Sequence, residues 1–144
     1  PDVPSMEDAE APAMSHLEIH QSVDMRMVQG AEVFNEGKTT GTGEFIARLA
    51  HKDGAAPGPI DLLMFADMMP PPIFTLFGAY GWVPTVELTV QVRRKPAPGS
   101  LLARHITRQV TRGVAETDTE IWDVNGDLAA MARQTYKVRM PKTD

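Results

Sequence analysis

The chain has 144 residues, enough for one domain with a hydrophobic core, and its apolar (42%) and charged (23%) fractions are those of an ordinary globular protein. A formal charge of −5 argues against a nucleic-acid surface, and the absence of cysteine excludes disulfides, thiolate metal sites and a cysteine nucleophile. Nothing in the sequence resembles a signal peptide or a membrane-spanning segment, so we expect a cytoplasmic protein that binds neither nucleic acid nor membrane.

The chain opens with a segment typical of a linker. Residues 1–15 place Pro1, Pro4 and Pro12 among alanines and acids, with few large apolar groups. We therefore expect a linker over 1–15 and a single domain over 16–144. Because the chain begins with proline rather than methionine, we also expect it to be part of a longer polypeptide or a processed product.

The next segments predict two strands. Apolar and polar residues alternate over 17–27, which indicates a half-buried strand. A turn rich in glycine and threonine follows over 37–43. The alternation then resumes at Phe45, Ala47 and Leu49, which predicts a second strand.

Residues 59–69 predict one long central helix. Pro59 suits a first helical position, and the prolines at 70–72 end the helix. The segment is apolar nearly all round, so we expect it to be buried on every side. Helical spacing places Asp67 on one stripe with Ile60 and Leu63, where an ionised carboxylate is costly unless it is paired or hydrogen-bonded. Asp67 is therefore a candidate site residue.

The second half of the chain predicts four further strands after an irregular connector over 73–82. Residues 85–93 alternate most clearly, with valines and a leucine expected to face inward. Residues 95–99 predict a hairpin loop, and 101–112, 114–122 and 128–139 predict the remaining strands. Arg112-Gly113 is read as a turn, and Asn125-Gly126 as a type I′ hairpin. The predicted fold is α+β, an antiparallel sheet wrapped around one helix.

Gln134 interrupts the apolar face of the last predicted strand, because period two places it with Ala132 and Tyr136. One interpretation is a buried amide bonded to a backbone group. The other is a site in which Gln134 and Asp67 converge. Thr85 is a possible third member, although the pattern alone favours an ordinary threonine at the start of a strand.

Familiar chemical motifs fail at required positions. Gly37-Lys38-Thr39 lacks the glycine that a phosphate loop needs at position 32, which is Glu32. Asp123 and its neighbours have calcium-loop spacing, but Leu128 stands where glycine is needed. We therefore expect no bound metal and no cofactor.

The segments "DLLMFADMMPP" and "WVPTVELTVQVRRKPAPGSLLARHITRQVTRGVAETDTEIWDVNGDLAAMARQTYKVR" resemble the C-terminal half of the acyl-CoA thioesterase II-like family, over about residues 17–139. The resemblance implies a hotdog fold, in which a curved antiparallel sheet wraps around a long central helix. It places the family's catalytic acid, threonine and glutamine at Asp67, Thr85 and Gln134. It further implies hydrolysis of fatty acyl-CoA to free acid and CoA by a water that these three side chains hold.

Members of that family are similar to two hotdogs in tandem, and the first is absent from this chain. The resemblance therefore implies a partner half, either a second copy in a homo-oligomer or a missing N-terminal segment. Two other functions stay open: a non-catalytic module that binds acyl-CoA or serves assembly, and a hotdog enoyl-CoA hydratase. Hydratases in similar families pair aspartate with a histidine near the helix, and residues 54–82 contain no histidine.

Overall fold

A computed structural model describes residues 21–79 and 83–139. The expected linker over 1–15 and the start of the first predicted strand lie outside these ranges. Within them, no helix is both long enough and apolar enough to cross a membrane. The described elements are six strands, β1 (Val23–Gln29), β2 (Glu44–His51), β3 (Thr85–Val92), β4 (Leu101–Thr111), β5 (Val114–Trp122) and β6 (Leu128–Lys137), and three helices, α1 (Glu32–Asn35), α2 (Asp61–Met68) and α3 (Phe74–Phe77).

The six strands form one antiparallel sheet in the order β1-β2-β4-β5-β6-β3. β3 is hydrogen-bonded to β6, so it forms one edge of the sheet, and β4 lies in the interior. The predicted hairpin loop at 95–99 is therefore wrong, because the segment between β3 and β4 crosses from an edge to an inner strand. This topology brings β3 beside the last strand of the chain.

The core lies between one face of the sheet and α2. Phe45, Ala47 and Leu49 of β2 are fully buried, as their alternation predicts, and they share a cluster with Leu62 and Phe65 of α2. Each of these leucine and phenylalanine side chains contributes roughly 1.5 to 3 kcal/mol when it is removed from water. A sheet wrapped around one principal helix is confirmed.

The predicted burial of the helix on every side is wrong. Helix α2 has eight residues, and its buried face consists of Leu62, Phe65, Ala66 and Met68. The stripe that contains Asp67 points away from the sheet: Ile60, just before the helix, is 80% exposed and Leu63 is 47% exposed, and Asp67 is exposed as well. A sheet can cover only one side of a helix, so a helix that is apolar all round leaves an apolar outer face.

Strand β3 also differs from its predicted pattern. Leu88 and Val90 are partly buried against the core, whereas Val86 is 68% exposed and Val92 is 42% exposed. The pairing with β6 shifts between Thr85 and Glu87, which is a bulge that changes the direction of the intervening residue. The predicted inward row of four apolar residues is therefore wrong at both ends of the strand.

The two predicted turns have different outcomes. Arg112 and Gly113 both have positive φ values, 50° and 76°, and join β4 to β5 as a two-residue turn. Arg112 is the only non-glycine with positive φ among the described residues, so a type I′ turn at Asn125 is wrong. There the carboxylate of Asp123 accepts the backbone N–H groups of Asn125 and Asp127 at 3.0 and 3.1 Å, and it organises a longer loop.

Candidate active site

Three elements meet at one end of α2. Asp67 lies in the last turn of the helix, Thr85 is the first residue of β3, and Gln134 lies within β6. The pairing of β3 with β6 places Thr85 opposite Tyr136, two residues from Gln134. Helix α2 contacts both strands. The fold thus brings three residues together that are as many as 67 positions apart in sequence.

The amide of Gln134 joins the other two predicted residues. Its Nε2 donates to Asp67 Oδ1 at 3.0 Å and to Thr85 Oγ1 at 2.7 Å. Gln134 is 1% exposed, whereas Asp67 and Thr85 are exposed. Both amide hydrogens therefore hold side chains in place rather than bonding to the backbone. All three predicted residues lie in one hydrogen-bonded group that opens on solvent.

This geometry combines an acceptor with a donor. A carboxylate has several lone pairs, so Asp67 can accept a hydrogen from a water as well as from Gln134. The oxygen of Thr85 accepts from Gln134, which leaves the hydroxyl proton of Thr85 for donation. An exposed acceptor and an exposed donor fixed by one buried amide can orient a water molecule.

A second group of polar side chains lies behind Gln134. Tyr136 donates its hydroxyl proton to Gln134 Oε1 at 2.7 Å, and Tyr136 Oη lies 3.1 Å from Nε2 of His105. Nδ1 of His105 lies 2.6 Å from Oγ1 of Thr119. Sequence reasoning missed the roles of His105, Thr119 and Tyr136. In each of the neighbouring strands β4, β5 and β6, a polar residue stands at a position that the alternation predicts to face the core. These three polar residues are the signal that could have identified the second group.

Burial sets the protonation states of this second group. It lowers the pKa of His105 to about 3, although the charge of Asp118 opposes the shift. It raises the pKa of the Tyr136 hydroxyl, and the negative charge of Asp67 adds to that effect. At neutral pH His105 is therefore uncharged and Tyr136 keeps the proton that it donates.

The surroundings of the site differ from face to face. The outer side of α2 presents Ile60 and Leu63, and the start of β3 presents Val86, so exposed apolar groups flank Asp67 and Thr85. A depression of about 550 Å³ lies on the other face of the sheet. It is lined mainly by polar residues of β3, β5 and β6 and contains none of the three site residues. In the part of the chain that the structure describes, no cluster of potential ligands could hold a metal ion.

Comparison with protein families identifies the class. Residues 1–138 match the family described as the acyl-CoA thioesterase C-terminal domain, so the chain belongs to that family. A comparison with curated proteins found no match.

Solved structures agree with this assignment. A protein of Thermobifida fusca YX, provisionally named thioesterase II, is 26% identical over 97% of this chain, with a TM-score of 0.80. A hot dog protein of unknown function from Alicyclobacillus acidocaldarius is 22% identical over 99% of the chain, with a TM-score of 0.82. The acyl-CoA thioesterase II TesB2 of Mycobacterium marinum is 17% identical over 99%, with a TM-score of 0.65.

The hotdog fold is confirmed by these likenesses. The alignments cover 54%, 55% and 56% of the three solved chains. This chain therefore spans about half the length of the proteins that it resembles.

Proposed function

We propose that this chain supplies the catalytic half of an acyl-CoA thioesterase, which hydrolyses fatty acyl-CoA to the free acid and CoA. The observation that carries the proposal is the amide of Gln134, which binds Asp67 at 3.0 Å and Thr85 at 2.7 Å on the exposed side of the helix end. Membership of an acyl-CoA thioesterase family supplies the substrate class.

Asp67 acts as the general base in this scheme. A water donates one proton to the carboxylate while its oxygen attacks the thioester carbonyl carbon, which gives a tetrahedral alkoxide. The alkoxide collapses, the carbon–sulfur bond breaks, and the departing thiolate takes the proton from Asp67. The products are the carboxylic acid and the CoA thiol, and Asp67 returns to its ionised state.

Thr85 and Gln134 hold the water in position. The hydroxyl proton of Thr85 is available to the water or to the substrate carbonyl, because the threonine oxygen already accepts from Gln134. Gln134 fixes the acid and the hydroxyl relative to each other, so the water that bridges them approaches in one orientation. Such positioning is worth several orders of magnitude in rate for an attacking group.

We propose that the N-terminus of α2 lies too far from Asp67 to stabilise the alkoxide. Helix α2 begins at Asp61, and Asp67 lies in its last turn. Six residues of helix separate them by about 9 Å along the axis. The hydroxyl proton of Thr85 is a donor that remains free at the site among the described residues, and we propose that the partner half supplies the others.

A second hotdog half completes the site in this proposal. The apolar outer side of α2 and the edge strand β3 lie on the side of the molecule that carries Asp67 and Thr85. A half that covers this face would bury Ile60, Leu63 and Val86 and would close an acyl pocket over the water. The partner is either a second copy of this chain or a missing N-terminal segment, and the coverage of about half of each solved relative supports both.

Thiol release from short and long acyl-CoAs tests the proposal, with the solution mass measured on the same sample and the partner half supplied where the chain does not self-associate. Asp67→Asn should keep the fold, because the side chain is exposed, and should slow hydrolysis by about 10²-fold or more. Asp61→Asn, at the other end of the same helix, is the matched control and should keep the wild-type rate. Full activity in Asp67→Asn refutes the assignment. An assembly that binds acyl-CoA without cleaving it supports the binding module instead.

A further inference from the structure

A line of buried hydrogen bonds continues from Gln134 into the sheet. His105, Thr119 and Tyr136 are 0%, 1% and 3% exposed, and they belong to the neighbouring strands β4, β5 and β6. The line runs from Thr119 to His105, from His105 to Tyr136, and from Tyr136 to Gln134, with distances of 2.6, 3.1 and 2.7 Å. Tyr136 is paired with Thr85 through the backbone of the sheet, but none of these three side chains is hydrogen-bonded to the side chain of Asp67 or Thr85. Their side chains therefore reach the site through Gln134.

The chemistry of the groups fixes the direction of every bond. An ionised Asp67 only accepts, so the nitrogen of Gln134 must face it and Oε1 must face Tyr136. Tyr136 has one proton and gives it to Oε1, so it accepts from His105 Nε2. Nδ1 of His105 then carries no proton and accepts from the Thr119 hydroxyl. The line therefore requires one tautomer, neutral imidazole with its proton on Nε2.

We propose that Tyr136, held by His105 and Thr119, positions the Gln134 amide with its nitrogen toward Asp67 and Thr85. This inference rests on the proposed function. A glutamine amide is nearly symmetric in shape, and the opposite orientation would place Oε1 against the Asp67 carboxylate. The hydroxyl of Tyr136 donates to Gln134 Oε1 on the side of the amide that faces away from Asp67, and this bond selects the correct orientation of the amide. An amide does not readily pass on protons, so the line orients the site rather than transferring a proton.

Kinetics of the active assembly separate positioning from general stability. Tyr136→Phe removes the hydroxyl that donates to Gln134 Oε1 and keeps the ring. For this variant kcat should fall about 10- to 100-fold while KM stays within about twofold, as expected for a misplaced catalytic group. Thr117→Val is the matched control. Thr117 lies on β5 opposite Gln134, is fully buried, and its hydroxyl has no partner among the described residues. Loss of that hydroxyl should leave kcat unchanged.

The histidine tautomer provides a readout that does not depend on activity. Long-range ¹H–¹⁵N spectra of ¹⁵N-histidine protein at pH 7 should show His105 neutral with its proton on Nε2. The chain has four histidines, and the signal absent from His105→Gln identifies the right one. A proton on Nδ1, or a charged ring, overturns the proposed direction of the bonds.

The possible outcomes distinguish this inference from the proposed function. An active wild type, a slow Asp67→Asn variant and a fully active Tyr136→Phe variant contradict positioning by Tyr136 and leave the thioesterase proposal intact. An equal loss of kcat in Tyr136→Phe and Thr117→Val also contradicts it, because the effect would then follow from any buried change. A wild-type assembly without hydrolysis contradicts the proposed function, and the positioning role is refuted with it.

Discussion

Replacing His105 with glutamine should reduce the decrease in the free energy of unfolding that the protein shows on mild acidification. The imidazole is fully buried, and burial lowers its pKa from the ordinary value of 6.5 to about 3. Between these two values the unfolded chain binds a proton that the folded chain does not bind. The contribution of His105 is therefore fully present above pH 6.5 and is lost as the pH falls through this window.

The size of the effect follows from the two pKa values. Across the whole window the linkage amounts to about 5 kcal/mol, since each pKa unit corresponds to about 1.4 kcal/mol. Between pH 7 and pH 5, where proteins are easily studied, the same relation gives a loss of about 2 kcal/mol. The carboxylates titrate in the same way in the wild type and in His105→Gln. The difference between the two proteins in how the free energy of unfolding changes with pH therefore reports the contribution of His105.

Urea titrations of both proteins at pH 7, 6 and 5 measure this difference. Between pH 7 and pH 5 the free energy of unfolding of the wild type should fall by about 2 kcal/mol more than that of His105→Gln, whatever the absolute stability of the variant. Parallel curves would refute the reasoning, because they would mean that His105 titrates alike in the folded and unfolded chains.

Two further matched pairs test the packing. Leu62→Ala should lower the free energy of unfolding by about 2 to 5 kcal/mol, because Leu62 is fully buried. Leu63→Ala in the chain alone should lower it by less than about 1 kcal/mol, because Leu63 is 47% exposed. Equal losses in urea titrations would contradict the orientation of α2. Gly30→Ala should cost about 2 to 5 kcal/mol, because φ is +95° and the new Cβ would overlap the Phe45 ring. Gly37→Ala, at φ +67° with no neighbour within 4 Å, should cost only about 1 to 2 kcal/mol, and similar melting temperatures for the two variants would show that the Phe45 contact is absent.

Strands β1 and β2 could be predicted from the sequence because their pattern is local. Val23, Met25 and Met27 alternate with polar residues, and so do Phe45 and Leu49, and all five are buried as predicted. Period two fixes the inward face of a strand that lies over a core.

The orientation of α2 and the exposure of β3 could not be predicted in this way. A helix that is apolar all round carries no information about which side meets the sheet. The pattern therefore predicts that Ile60, Leu63 and Asp67 lie in the core, whereas in the structure they point outward. A strand with one uncovered end has the same alternation as a fully covered strand. The pattern therefore predicts that Val86 faces inward, whereas it is exposed.

The candidate site could be predicted from the sequence only in part. Asp67 and Gln134 stood out as polar residues within apolar patterns, whereas Thr85 depended on the family resemblance. His105 and Tyr136 lie 31 positions apart, and only the order of strands brings them together. The two predicted turns place β4 and β6 on either side of β5, but they do not give the register and orientation that bring the His105, Thr119 and Tyr136 side chains together.

The central claim is that Asp67 and Gln134 act as one unit on one water. A double-mutant cycle of kcat for thioester cleavage with Asp67→Asn, Gln134→Met and the double variant tests it most directly. If the two groups share one task, the double variant should be about as slow as the slower single variant, because groups that act together are strongly non-additive. Single effects that multiply in the double variant would contradict the account, since they would place the acid and the amide in separate roles.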